Sequence, residues 1–209
     1  MKKLLESVQE LKKSNIKEVI NNRIKEFQQV GEKSSNEIFI ELCFCIMTAN
    51  CGAEMCIKVQ NEINNDFLTL SETELAKRLK DVGYRFYNRR ANFIDTSRKY
   101  KDNLKEIINS YVNENELRDW LVENIKGLGY KEASHFLRNV GFKNFAIIDF
   151  HIIDLLIKHT FIDKKPKSLS KTKYLEIENM LKKIAQELNL TLGELDLYLW
   201  YLETGKILK

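Results

Sequence analysis

Apolar residues recur at helical spacing along almost the whole chain. Leu4, Val8, Leu11 and Ile16 open the pattern, and Val19, Ile20, Ile24 and Phe27 continue it. The polar stretch 28–36 (QQVGEKSSN) carries Gly31 and predicts a loop. Ser35 or Asn36 is then the expected N-cap of the next helix, with Glu37 in its first turn. Residues 38–49 (IFIELCFCIMTA) are apolar on almost every side, which predicts a helix in the middle of a domain. Helical patterns follow at about 54–65, 72–80, 87–100, 103–112, 114–125, 131–139 and 150–159. The segment 163–171 (DKKPKSLSK) reads as the one linker, rich in Lys and Ser and holding Pro166. Tyr174, Ile177, Leu181, Ile184, Ala185 and Leu188 mark a strongly amphipathic helix after it. A last helix, about 192–203, carries Leu195, Leu199 and Leu202 and stops before Gly205.

Composition narrows the fold class. One proline and 8 glycines in 209 residues are too few breakers for the many turns of an all-β fold. With 44% apolar and 31% charged residues the composition is globular, and the length suits one domain or two small lobes. The balance of 34 Lys+Arg against 30 Asp+Glu leaves a charge of +4, which allows a nucleic-acid partner without requiring one. No apolar run reaches the ~18–20 residues of a membrane span, so no membrane association is expected. The start, Met1-Lys2-Lys3-Leu4, runs straight into a charged amphipathic pattern, and the protein is read as intracellular. Cys43, Cys45, Cys51 and Cys56 are then expected to be free thiols. Three of them lie within or beside the apolar helix, where small buried thiols belong, and no metal site is assigned.

The densest chemistry lies in IKGLGYKEASHFLRNVG, residues 125–141. One helix ends at Gly127 and another begins near Tyr130, so Gly127-Leu128-Gly129 is a tight joint with Leu128 as a plug between helices. Such a turn beside a helix N-terminus can present several amides to one anion, although a plain αα-turn accounts for the glycines equally well. Lys131 falls in the first turn of the second helix, where the helix dipole disfavours a cation. A nearby anionic DNA backbone would account for it. So would chemistry that wants a neutral, nucleophilic amine, which dipole and desolvation both favour. Further on, in FAIIDFH, Asp149 follows four apolar residues and precedes a helix. Taken alone, that is an ordinary N-cap position.

IKGLGYKEA followed by AIIDFHI resembles the helix-hairpin-helix motif and Asp loop of the base-excision DNA glycosylase superfamily, from Leu117 to Leu156. The resemblance implies that the amides of Gly127, Leu128 and Gly129 grip a DNA phosphate. It implies that Lys131 attacks C1′ of the damaged nucleotide, that Asp149 assists, and that the enzyme is bifunctional. Endonuclease III resembles this stretch too, but that family typically carries a C-terminal four-cysteine iron–sulfur cluster, and no cysteine follows Cys56.

LCFCIMTAN, GYRFYNRRA and LDLYLWYLETGKILK resemble the compact, archaeal-type class of 8-oxoguanine DNA glycosylases. That class implies an all-α fold of two helical lobes in a single unit over 1–209, with an active-site cleft between the lobes. The helix-hairpin-helix would cover about 116–139 and the Asp loop about 145–151. Phe86 and Trp200 would sandwich the extruded base, and the C-terminal Lys209 would close the pocket. Asn50 falls where related enzymes fill the gap in the duplex, and His151 hydrogen-bonds locally or faces DNA. The implied partner is double-stranded DNA with a damaged base, bound by a monomer without metal or organic cofactor.

The residues themselves are compatible with this. From Lys77 to Lys101, the cations Lys77, Arg78, Lys80, Arg85, Arg89, Arg90, Arg98, Lys99 and Lys101 face only Asp81 and Asp95. Tyr84, Phe86, Tyr87, Phe93 and Tyr100 are interleaved, as suits phosphates and stacked bases, and equally a solvated amphipathic helix. Glu132 is expected at the surface rather than as a second catalyst. A glycosylase for oxidised pyrimidines and a non-enzymatic hairpin module remain the alternatives.

Overall fold

The computed structural model describes residues 2–209, which form helices and no strand. In chain order they are α1 (Lys2–Leu11), α2 (Ile16–Glu32), α3 (Ser35–Thr48), α4 (Ala53–Ile63), α5 (Asp66–Thr69), α6 (Glu72–Asp81) and α7 (Tyr87–Ser97). A 3-10 turn at Arg98–Tyr100 leads to α8 (Leu104–Ser110), α9 (Glu114–Asn124), α10 (Tyr130–Asn139), α11 (Phe150–Lys158), α12 (Lys171–Glu187) and α13 (Leu192–Thr204). The chain divides into two compact units. One is built from its two ends, up to Gln28 and from Gly141 onward, and the other is Gln29–Val140.

In the Gln29–Val140 unit α3 is the central element. Every residue from Ile38 to Thr48 is buried, as a helix apolar on almost every side predicts, and α4, α5, α7, α8 and α10 lie against it. Its one buried carboxylate, Glu41, is fully used. Oε1 accepts from Asn139 Nδ2 at 2.6 Å and Oε2 from Gln60 Nε2 at 3.1 Å. Glu41 thereby ties α10 and α4 to the core helix. In the unit of the two chain ends α13 plays the corresponding part, packed by α1, α11 and α12.

Three sequence expectations change. The predicted loop over 28–36 is largely helix, because α2 runs through Gly31 to Glu32. Gly31 is there for closeness: a Cβ on it would stand 2.2 Å from the Val140 carbonyl oxygen. The N-cap of α3 is Ser34, neither Ser35 nor Asn36. It forms a reciprocal capping box with Glu37. The continuous pattern over the first residues is interrupted at Ser14, whose hydroxyl accepts from Ile16 N at 3.2 Å, separating α1 from α2. The short α5 carried too few positions to show a period.

Candidate active site

The joint between α9 and α10 is held on both sides. The Tyr130 hydroxyl donates to the Asp119 carboxylate, and the Arg118 guanidinium lies 5.2 Å from the Tyr130 ring centre. Arg118 also donates to Ser134 Oγ at 3.2 Å, so α9 reaches α10 at two levels. Only one hairpin glycine needs to be glycine for backbone reasons. Gly127 has φ +88°, and a Cβ there would fall 2.4 Å from the Phe93 ring. Leu128 is buried, as a plug should be.

Lys131 is the second residue of α10, with its side chain 22% exposed and Nζ 3.9 Å from Glu132 Oε1. Glu132 corrects an expectation. Its side chain is only 14% exposed, and Oε2 accepts the Gly129 N–H at 3.1 Å. Leu128 N–H donates to the Ile125 carbonyl at 3.3 Å. Two of the three amides assigned to a phosphate are thus engaged within the protein.

In the other unit, residues 145–148 form the non-helical stretch before α11 and are anchored by α12. The Tyr174 hydroxyl donates to the Ala146 carbonyl at 2.6 Å and accepts from Ile148 N at 3.3 Å, while Glu178 Oε1 accepts from Ala146 N at 3.1 Å. These bonds deliver Asp149 to the start of α11 as its N-cap, with Oδ1 accepting from Ile152 N at 3.0 Å. The capping role is therefore real, and it fixes the orientation of the half-buried carboxylate. Two residues on, exposed His151 meets Trp200 edge-on, with ring centres 5.2 Å apart and planes at 85°. The Trp200 indole N–H is buried without an acceptor among the described residues. Gly205 ends α13 in the left-handed conformation. Beyond it Ile207, Leu208 and Lys209 are half-buried.

Phe86 caps α7 without a side-chain hydrogen bond and is half-buried, with the Arg85 guanidinium 4.4 Å from its ring centre. Arg90 differs from the solvent-facing cation of the sequence reading. It is 6% exposed, and Nη2 donates to the Ala49 carbonyl at 2.7 Å. It braces the segment that presents exposed Asn50, which sits at φ +60°. Arg98 is likewise committed inward, to Asp95 and to the Phe67 carbonyl. Arg118 and Asp119 escaped the sequence reading, and Arg90 and Tyr130 entered it without their bracing roles, since nothing in their spacing separates a brace from a surface group.

Residues 20–190 match the family model described as 8-oxoguanine DNA glycosylase. A protein of Methanocaldococcus jannaschii named 8-oxoguanine DNA glycosylase/AP lyase is 55% identical over 206 residues, 99% of each chain. The crystal structure of an M. jannaschii 8-oxoguanine glycosylase/lyase with DNA containing 8-oxoguanine superposes with a TM-score of 0.97 at 54% identity, covering 99% of each chain. The 8-oxoguanine DNA glycosylase of Thermotoga maritima does so with a TM-score of 0.94 at 40% identity, covering 100% of this chain and 99% of that one. With its all-α fold and its α9–α10 hairpin, the chain belongs to the 8-oxoguanine DNA glycosylase family.

Proposed function

We infer that the protein excises 8-oxoguanine from DNA and cleaves the strand at the resulting abasic site through a lysine Schiff base. The observation that carries this is Lys131 as the second residue of α10, directly after the glycine hairpin, in a chain of this family. The damaged nucleotide is extruded from the stack. The Lys131 amine, neutral when it reacts, attacks C1′ and the base leaves. Ring opening gives a Schiff base, which acts as an electron sink: a C2′ proton departs and the 3′ phosphate is eliminated. Asp149 stabilises the positive charge that develops on the sugar, from an orientation supported by its cap to Ile152.

Phe86 and Trp200 offer flat faces to the extruded base, and Lys209 reads its polar edge. Gly127, Leu128 and Gly129 contact a phosphate, with Asn50 and His151 as further DNA contacts. The protein acts as a monomer on duplex DNA inside the cell, and the chemistry calls for no metal or organic cofactor.

Borohydride trapping tests the reading on duplexes carrying 8-oxoguanine, thymine glycol or an abasic site. The expected result is a covalent adduct with 8-oxoguanine and abasic DNA. Preferential trapping on thymine glycol would shift the substrate to oxidised pyrimidines. Binding without any adduct would leave a non-enzymatic hairpin module.

A further inference from the structure

Helix α4 begins at Ala53 with Gly52 as its N-cap. Cys51 is therefore the residue before the cap and Cys56 the fourth residue of the helix. Side chains at these two positions meet at a helix start, where they ordinarily form an apolar staple. Here both are thiols, so the start of α4 brings Cys51 and Cys56 together as neighbouring sulfurs.

The two sulfurs stand in unequal surroundings. Cys56 is fully buried, with Sγ 3.5 Å from the Met47 carbonyl oxygen. Cys51 is half-buried and so reachable by a small solute. Arg90 and Arg85 face Cys51, as does the Tyr84 hydroxyl, while Lys131 and Cys45 face Cys56. The neighbouring Cys56 thiol lowers the Cys51 pKa to about 7 against the opposing effect of burial. The Gly52 N–H and the two guanidiniums act in the same direction. The nearness of Cys51, together with burial, raises Cys56. Cys43 and Cys45 lie buried in α3, and burial raises Cys43.

We propose that Cys51 and Cys56 form a reversible redox pair, Cys51 as the peroxide-reactive thiolate and Cys56 as the thiol that resolves it into a disulfide. The Cys51 sulfur attacks one oxygen of hydrogen peroxide, the O–O bond breaks, hydroxide leaves, and Cys51 becomes a sulfenic acid. The Cys56 sulfur then attacks the Cys51 sulfur. An S–S bond forms, the S–O bond breaks, and the hydroxyl departs with the Cys56 proton as water. A small dithiol reverses the change by two exchange steps. Cys51 directly follows Asn50, so the oxidation state is recorded in a segment that the proposed function assigns to DNA, though the chemistry itself does not depend on that assignment.

The test uses the full-length reduced protein and reads thiols by peptide mass spectrometry, independently of glycosylase activity. At neutral pH iodoacetamide should alkylate Cys51 on the order of 10-fold faster than Cys43, Cys45 or Cys56, with a pH midpoint near 7. Hydrogen peroxide should yield a linked Cys51–Cys56 peptide pair that dithiothreitol removes. Cys56→Ser should stop at a sulfenic acid on Cys51 that dimedone traps, and Cys51→Ser should give neither product. Melting curves check that each variant folds, with Cys56→Ala and Cys51→Ala as replacements if a serine is not tolerated. Alkylation of Cys51 no faster than that of Cys43 and Cys45 would overturn the proposal, as would peroxide treatment that leaves Cys51 and Cys56 unlinked.

Discussion

The Glu132 carboxylate reaches back across the first turn of α10 and accepts the Gly129 N–H at 3.1 Å. An anion built into the protein thus occupies part of the place that the family resemblance gives to a DNA phosphate, and it also lies 3.9 Å from the Lys131 ammonium. A phosphate binding there has to displace it. Glu132→Ala should tighten binding to damaged and undamaged duplexes alike, because it removes a competing negative charge. It should also lower stability by about 1 kcal/mol through loss of the cap. Fluorescence anisotropy and a melting curve read the two effects, and unchanged affinity would show that the carboxylate and the phosphate do not compete.

The two hairpin glycines should respond differently. Gly127→Ala places a Cβ at φ +88° and 2.4 Å from the Phe93 ring. It should cost about 2 kcal/mol or more in urea unfolding, from backbone strain plus overpacking. At Gly129 φ is −96°, and a Cβ meets only the Glu132 carboxylate, at 3.3 Å. Gly129→Ala should change stability by less than about 0.5 kcal/mol. Gly129→Val should weaken binding to damaged and undamaged duplexes equally. A loss confined to one lesion would tie the hairpin to base recognition.

Lys131→Gln should abolish both the borohydride-trapped adduct and strand cleavage while leaving DNA binding largely intact. Glutamine keeps a polar side chain, one atom shorter than lysine, and has no nucleophilic amine. An undiminished adduct in this variant would remove Lys131 from the mechanism.

Asp149→Asn separates the two roles of this residue. Asparagine can still accept the Ile152 N–H that Asp149 Oδ1 accepts at 3.0 Å, so folding stability should change by less than about 0.5 kcal/mol. The charge is lost, and the single-turnover excision rate should fall on the order of 100-fold or more. Full activity with a lowered melting temperature would reduce Asp149 to its cap.

Deleting Lys209 should impair 8-oxoguanine excision far more than cleavage at a preformed abasic site, which has no base to read. The half-buried tail after Gly205 gives this residue a fixed place rather than a frayed one. Equal losses on both substrates would point to destabilisation of the tail's contacts with α13.

Local features were legible along the chain because they arise from neighbours in sequence. The helical period, the largely apolar α3, the linker around Pro166, the stop at Gly205 and the placement of Lys131 and Asp149 at helix starts all follow from spacing and capping chemistry. The tertiary structure decided which of two uses a given residue type serves. Gly31 reads as a break, yet it is a point of close approach to Val140. Arg90 reads as a phosphate contact, yet it is buried on the Ala49 carbonyl. Glu132 reads as surface, yet it closes the Gly129 amide. Each of these turns on a particular partner within a few ångströms. For Gly31 and Arg90 that partner is distant in sequence, and for Glu132 it is one of several groups the side chain could reach. Hydrophobic periodicity carries no information about such choices, because a glycine, a guanidinium or a carboxylate keeps the same place in the pattern whether it meets backbone, solvent or DNA.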